Sequence, residues 1–262
     1  MAISLASLKR KGVVKPPMML VYAVAGFGKT TFAAGAPAPV FLAVEKGLGQ
    51  LEVPHWDIAA YGELMEAIGV LYSEEHDRKT VVLDSLDWAE PLVWAETCRR
   101  NSWKSIEDAS YGKGYLAAIE VWRELLDGLA ALRDERGMSV ILLAHEKIKR
   151  FDSPEVEPYD RYMIKLHEKA AAIVQEQCDV VAFGNYRVSI NKADVGFNKK
   201  VARAVGGAQR VLYLEERPAF HAKNRYSLPP SVDLPSTPDA WKQPDVIWAA
   251  FARHLPDSMF GA

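Results

Sequence analysis

Positive charge is not in excess in this chain: 32 lysines and arginines stand against 34 aspartates and glutamates, a formal net charge of −2. That excludes a surface coated in positive potential, so any contact with a polyanion must be local. Cysteine is scarce too. Cys98 and Cys178 are the only 2, without CxxC spacing, which leaves no disulfide framework or thiolate metal site and reads as buried packing. No apolar run approaches the roughly 18 residues needed to span a bilayer, and Met1 to Lys15 lacks a signal-peptide core followed by a cleavage site, so a cytoplasmic location is expected. His145-Glu146 does not begin a zinc helix, because Lys149 stands where the HExxH pattern needs its second histidine. Internal repeats and low-complexity segments are absent.

What is present is a hydrophobic fraction of 49% over 262 residues, enough for one substantial core with small appendages. Basic residues gather at Lys9-Arg10-Lys11, at Lys147 to Arg150, and at Lys199-Lys200 with Arg203 and Arg210; each alone is ordinary solvated charge. Apolar runs at Met18–Val24, Val40–Val44, Thr80–Leu83, Met138–Ala144 and Asp179–Phe183 read as buried strands. Between them, helical spacing appears in Tyr61–Tyr72, Ser85–Arg100, Tyr115–Arg136 (closed by Gly137) and around Leu166 to Val174. Such alternation predicts an α/β fold, a mostly parallel sheet flanked by helices. Short pieces at Arg187–Ile190, Arg210–Leu214 and Ala219–His221 predict antiparallel hairpins at the far edge. The expected organisation is an N-terminal extension (1–17), a core (18–228), and a proline-rich strap with a terminal helix (229–262).

The densest chemistry follows the first strand, in Ala25-Gly26-Phe27-Gly28-Lys29-Thr30-Thr31. Glycines at 26 and 28 let successive backbone N–H groups converge on an anion, Lys29 reaches β/γ-phosphates, and the Thr30 hydroxyl is placed to ligate Mg²⁺. A nucleoside triphosphate with Mg²⁺ is therefore the expected ligand. Ala23 stands where the strict pattern has its first glycine, and Phe27 puts a bulky side chain inside the loop.

In an open parallel sheet the ligand lies outside the carboxyl ends of the strands. Glu45, Asp84 and His145 each follow an apolar run. Asp84 fits the acid that holds the Mg²⁺ shell together with Thr30. Glu45 is suited to orient and deprotonate the attacking water, and His145 to donate to a γ-phosphate and report its presence to the segment that follows.

Gly26–Thr31, Phe41–Leu48, Val81–Leu86 and Leu142–Glu146, taken in that order, resemble the core of RecA-like ATPases. Tyr111–Tyr115, Gln175–Val181 and Ala222–Tyr226 are further similar to the short single-domain RecA-like proteins of bacteriophages, described as recombination or single-strand-annealing ATPases and grouped as phage AAA-type nucleotide-binding proteins. The resemblance implies that the nucleotide is ATP, that Glu45 activates water, that Asp84 serves magnesium, and that His145 occupies the place of a polar γ-phosphate sensor. It implies two DNA-binding loops, Asn101–Tyr115 with Lys104 and Lys113, and Lys147–Lys165 with Lys147, Lys149, Arg150 and Arg161. Cations there would track the phosphates of single-stranded DNA while aromatics stack on bases. It also implies a homo-oligomer with nucleotide at the subunit interface, where Lys223 and Arg225 reach a neighbour's phosphates, and a single-strand-binding protein as a further partner. The expected function is a DNA-dependent ATPase of phage recombination or annealing. A ring helicase or helicase loader is one alternative and a small-molecule P-loop kinase another, although the kinase would need an arginine-bearing lid where Ser153–Asp160 is acidic.

Overall fold

Both faces of the central strands are apolar, and the chain covers both. In the computed structural model, which describes residues 15–49, 51–194 and 200–256, strand β1 (Met18–Ala23) turns Met18, Leu20 and Tyr22 to one core and Met19, Val21 and Ala23 to the other. That two-sided burial is why the strand reads as an unbroken hydrophobic run. After β1 come α1 (Lys29–Ala34), β2 (Pro39–Ala43), β3 (His55–Asp57), α2 (Tyr61–Ser73), β4 (Thr80–Asp84), α3 (Leu86–Asn101) and α4 (Lys113–Arg136). The remainder is β5 (Ser139–Phe151), β6 (Tyr159–Ile164), α5 (Glu168–Gln177), β7 (Val180–Asp194), β8 (Lys200–Tyr213), β9 (Lys223–Asn224), β10 (Ser231–Asp233) and α6 (Pro244–Ala252).

The sheet order is β10-β8-β7-β1-β5-β4-β2-β3. Pairing is parallel from β7 through β3, while β8 and β10 add antiparallel strands at one edge. Residues of α2, α3, α4 and α5 pack on one face, those of α1 and α6 on the other. This is the expected α/β class. Strand β5 separates β1 from β4, and the registers Ala23↔His145, Ala23↔Gly184 and Ala43↔Asp84 bring the carboxyl ends to one rim. Gly137 ends α4 in the left-handed region, φ 68°. No helix among the described residues is long and apolar enough to cross a membrane.

Two expectations need correction. The Met138–Ala144 run is expected to stop at His145 and enter a loop, but β5 continues to Phe151 and pairs antiparallel with β6, Glu146↔Ile164 to Phe151↔Tyr159. Lys147–Lys165 is thus mainly a β-hairpin, and because it projects beyond the parallel sheet it carries no apolar alternation to mark it. The expected short hairpins are in fact one long pair, β7 with β8, running from Phe183↔Tyr213 to Asp194↔Lys200 with an irregularity between Tyr186 and Val188. Ala219–His221 makes only isolated bridges through Phe220. The cluster Lys9-Arg10-Lys11, most of the N-terminal extension and Lys199 lie outside the described residues, as do the last residues of the C-terminal segment.

Candidate functional site

Between β1 and α1 the loop turns through two left-handed glycines, Gly26 at φ 72° and Gly28 at φ 94°; this is the conformation for which glycine is needed there. Ala23 is simply the last residue of β1, so the missing first glycine costs nothing. Phe27 does not obstruct the loop. Its ring is fully buried beneath it, in space that exists because residue 184 lacks a side chain: a Cβ there would stand 2.6 Å from the ring and 2.8 Å from the Ala23 Cβ.

Lys29 opens α1 and is buried, 8% exposed. Burial lowers its pKa, opposed by the charges of Asp84 and Glu45. Asp84 ends β4, where burial raises its pKa against the hydrogen bond from Thr30; Thr30 Oγ1 donates to Asp84 Oδ2 at 2.8 Å. A hydroxyl beside a carboxylate is an oxygen donor set that suits a hard cation. Among the described residues no group of three or more His, Cys, Asp or Glu side chains is arranged to hold a metal. Thr30 and Asp84 therefore fit Mg²⁺ carried in with phosphate oxygens and water rather than a protein-only cage.

Glu45 is anchored through its backbone: the amides of Val44 and Glu45 both donate to the Asp84 carbonyl, at 2.8 and 3.0 Å. Its carboxylate accepts from Ser85 Oγ at 3.1 Å and lies 3.9 Å from His145 Nδ1. His145 is fixed from behind by Asp87, which accepts from its backbone N–H at 3.0 Å and stands 3.0 Å from Nδ1. The hydrogen bond to Asp87 raises the pKa of His145, opposed by partial burial and Lys29. Lys165, just past β6, lies 3.8 Å from Asp87. The structure thus brings together Ala25 to Thr31, Glu45, Asp84 and His145 on one rim, as expected. Ser85 and Asp87 are additions. Their signal was legible in Asp84-Ser85-Leu86-Asp87, where a strand-ending acid is followed one helical turn later by a second acid in the first turn of α3.

The other expected site residues divide. Lys104, Lys113 and Arg150 are exposed, and so are Tyr111 at 97% and Ile148 at 64%. Lys147 is engaged, its Nζ donating to the Leu166 carbonyl at 2.6 Å, and Lys149 pairs with Glu168. Arg161 is 9% exposed. Its guanidinium pairs with Glu216 and donates to the Phe220 carbonyl at 3.1 Å, so it braces the hairpin instead of standing on its surface. The segment Asn101–Tyr115 is tied down at its end: Tyr115 stacks on His167 at 4.3 Å between ring centroids. Lys223 and Arg225 lie at the opposite rim. Lys223 Nζ donates to the carbonyls of Gln175 and Glu176, both at 2.9 Å, where α5 ends, and Arg225 pairs with Asp179 at 3.2 Å. The Asp179 amide donates to the Met18 carbonyl, which puts both cations at the start of β1, about 17 Å of strand from the phosphate loop. Within one chain they are not part of the pocket.

A comparison with curated proteins finds no match. Among solved structures, the chain is similar to the crystal structure of the RadB recombinase, at 15% identity over 85% of this chain and 88% of that one, with a TM-score of 0.48. The AAA domain family matches residues 15–226, a span that holds the phosphate loop, both strand-end acids and His145, and the chain belongs to that family of P-loop ATPases.

Proposed function

We propose that this protein hydrolyses ATP in response to single-stranded DNA, as a recombination or annealing ATPase of the phage type, assembled from copies of itself. One observation carries the reading. His145 and the basic residues Lys147, Lys149 and Arg150 belong to a single uninterrupted strand, β5, so a displacement at the phosphate-facing end reaches the hairpin through paired backbone and not through slack loop. Asp87 adds a second connection, because it holds His145 and also faces Lys165 at the hairpin's base.

Chemically, Lys29 and the loop amides bind and orient the β- and γ-phosphates. Thr30 and Asp84 hold Mg²⁺, which when bound neutralises charge developing on the transferred phosphoryl group. Glu45, held by Ser85, orients the attacking water and accepts its proton. His145, held in place by Asp87, donates toward the γ-phosphate while it is present. The exposed cations Arg150, Lys104 and Lys113, with Tyr111, supply the charge and the stacking surface that unpaired bases need.

The test is ATP hydrolysis with and without single-stranded DNA at low and high salt. Stimulation that weakens as salt rises is the expected result, since phosphate contacts release counterions. Hydrolysis indifferent to DNA, or phosphorylation of a small acceptor, refutes the reading.

A further inference from the structure

Three residues outside the phosphate-binding set converge on the outer side of the loop, and they come from three separate elements. Tyr186 on β7 and Arg210 on β8 are direct cross-strand partners. The Tyr186 hydroxyl donates to the Gly26 carbonyl at 2.9 Å, and Arg210 Nη2 lies 3.5 Å from the same oxygen. The third is Trp241, in a short 3-10 turn of the C-terminal strap. Its indole packs against Gly28 so closely that a Cβ there would meet the ring at 2.4 Å, and it meets Phe27 edge-on. The Trp241 Nε1–H donates to the Pro235 carbonyl at 2.8 Å, which fixes the ring.

Arg210 is an unusual cation in this setting. Its guanidinium carbon lies 3.9 Å from the Trp241 ring centroid and 5.5 Å from that of Tyr186. Among the described residues it makes no ion pair, and its Nε is buried without a partner, whereas neighbouring Arg187 pairs with Asp233. A flat cation stacked on an indole, beside a phosphate cradle, offers a planar charged face to a π system. The phosphates already have the loop amides and Lys29. What the nucleotide still requires is a surface for its base.

We propose that Arg210, Trp241 and Tyr186 form the nucleobase platform of this chain, on which the base of the bound nucleotide stacks. The proposal rests on the nucleotide reading given above and deepens it. Trp241 lies beyond residue 226, where the family match ends, so the platform is built partly from outside the matched span, and the strap acquires a role in closing the site. Stacking on such faces contributes a roughly 5- to 100-fold gain in affinity per base.

The experiment measures, on the full chain with Mg²⁺, the Kd of a non-hydrolysable ATP analogue and of inorganic tripolyphosphate. For Arg210→Ala and Trp241→Ala the analogue's Kd is expected to rise about tenfold while that of tripolyphosphate stays within about twofold; Trp241→Phe, which keeps an aromatic face, should retain most of the affinity and guards against a folding defect. Equal losses for both ligands would make Arg210 a phosphate cation and Trp241 a prop for the loop, overturning the proposal. So would unchanged analogue affinity in both alanine variants. Failure of the underlying nucleotide reading looks different: the unmodified chain would bind neither ligand, or Lys29→Ala would leave both unaffected.

Discussion

Gly184→Ala tests whether the phosphate loop is shaped by what lies beneath it. The glycine has no positive φ to protect, so alanine is acceptable to the backbone; the obstacle is the ring of Phe27, which a new Cβ would approach to 2.6 Å, with the Ala23 Cβ at 2.8 Å. Both neighbours are fully buried, and a side chain cannot be added there without shifting the ring and, with it, the loop from Gly26 to Gly28. Overpacking of this kind costs about 2 kcal/mol, which in a chain of this size lowers Tm by about 4–8 °C. Phe27→Ala removes a buried ring and costs about 3–5 kcal/mol. The informative variant is the double one. In Phe27→Ala/Gly184→Ala the new methyl occupies space the ring has left, so the combined loss should be close to that of Phe27→Ala alone, a favourable coupling of about 2 kcal/mol. Urea denaturation of the four proteins gives the cycle, and ATP affinity measured beside it should fall in Gly184→Ala and partly recover in the double variant. Strict additivity, or a Gly184→Ala protein with unaltered midpoint and affinity, would refute the idea that the ring sets the loop.

Glu45→Gln should lower the hydrolysis rate by about 10²- to 10⁴-fold while ATP binding persists, because the amide still orients water but accepts no proton; rate loss matched by binding loss would remove the base assignment. For Asp87→Asn the pH dependence is diagnostic. Asp87 raises the pKa of His145, so the stability this pair contributes is full below the ordinary histidine value of about 6.5 and is lost as pH rises through the raised folded value; the urea midpoints of the unmodified protein and the variant should converge as pH rises above about 6.5, and a constant gap would count against the pair. Mixing Lys29→Ala with Arg225→Ala separates a role in trans from local structure: if Arg225 serves a neighbour's nucleotide, two variants each with little activity should regain turnover when combined, and a mixture no more active than the sum of its parts would confine Arg225 to its pairing with Asp179.

How much of this was legible in the chain follows from what burial writes into a sequence. The parallel strands were readable because helices cover both of their faces, which makes Met18–Ala23 or Val81–Leu83 continuously apolar; their carboxyl ends could then be located from the first polar residue after each run, which is how Glu45, Asp84 and His145 emerged. The β5–β6 hairpin left no such trace, since much of it is exposed and charged side chains are tolerated along it, and the eye takes His145-Glu146-Lys147 for a loop. The same cause hid Arg161. Its basic character suggests a surface residue, yet Glu216 and the Phe220 carbonyl, more than fifty residues downstream, hold its Nη2 and keep the side chain buried. Trp241 was out of reach for another reason: its contact with Gly28 spans most of the chain and depends on how the strap returns across α1, a path fixed by α6 packing Trp248 and Phe251 onto Phe32. Local spacing identifies the groups that a strand or turn must itself present. Where a site is completed by a distant segment, as Trp241 completes the loop here, only the folded path brings the partners together, and the glycine at 28 carries a second constraint, from the indole as well as from its own φ.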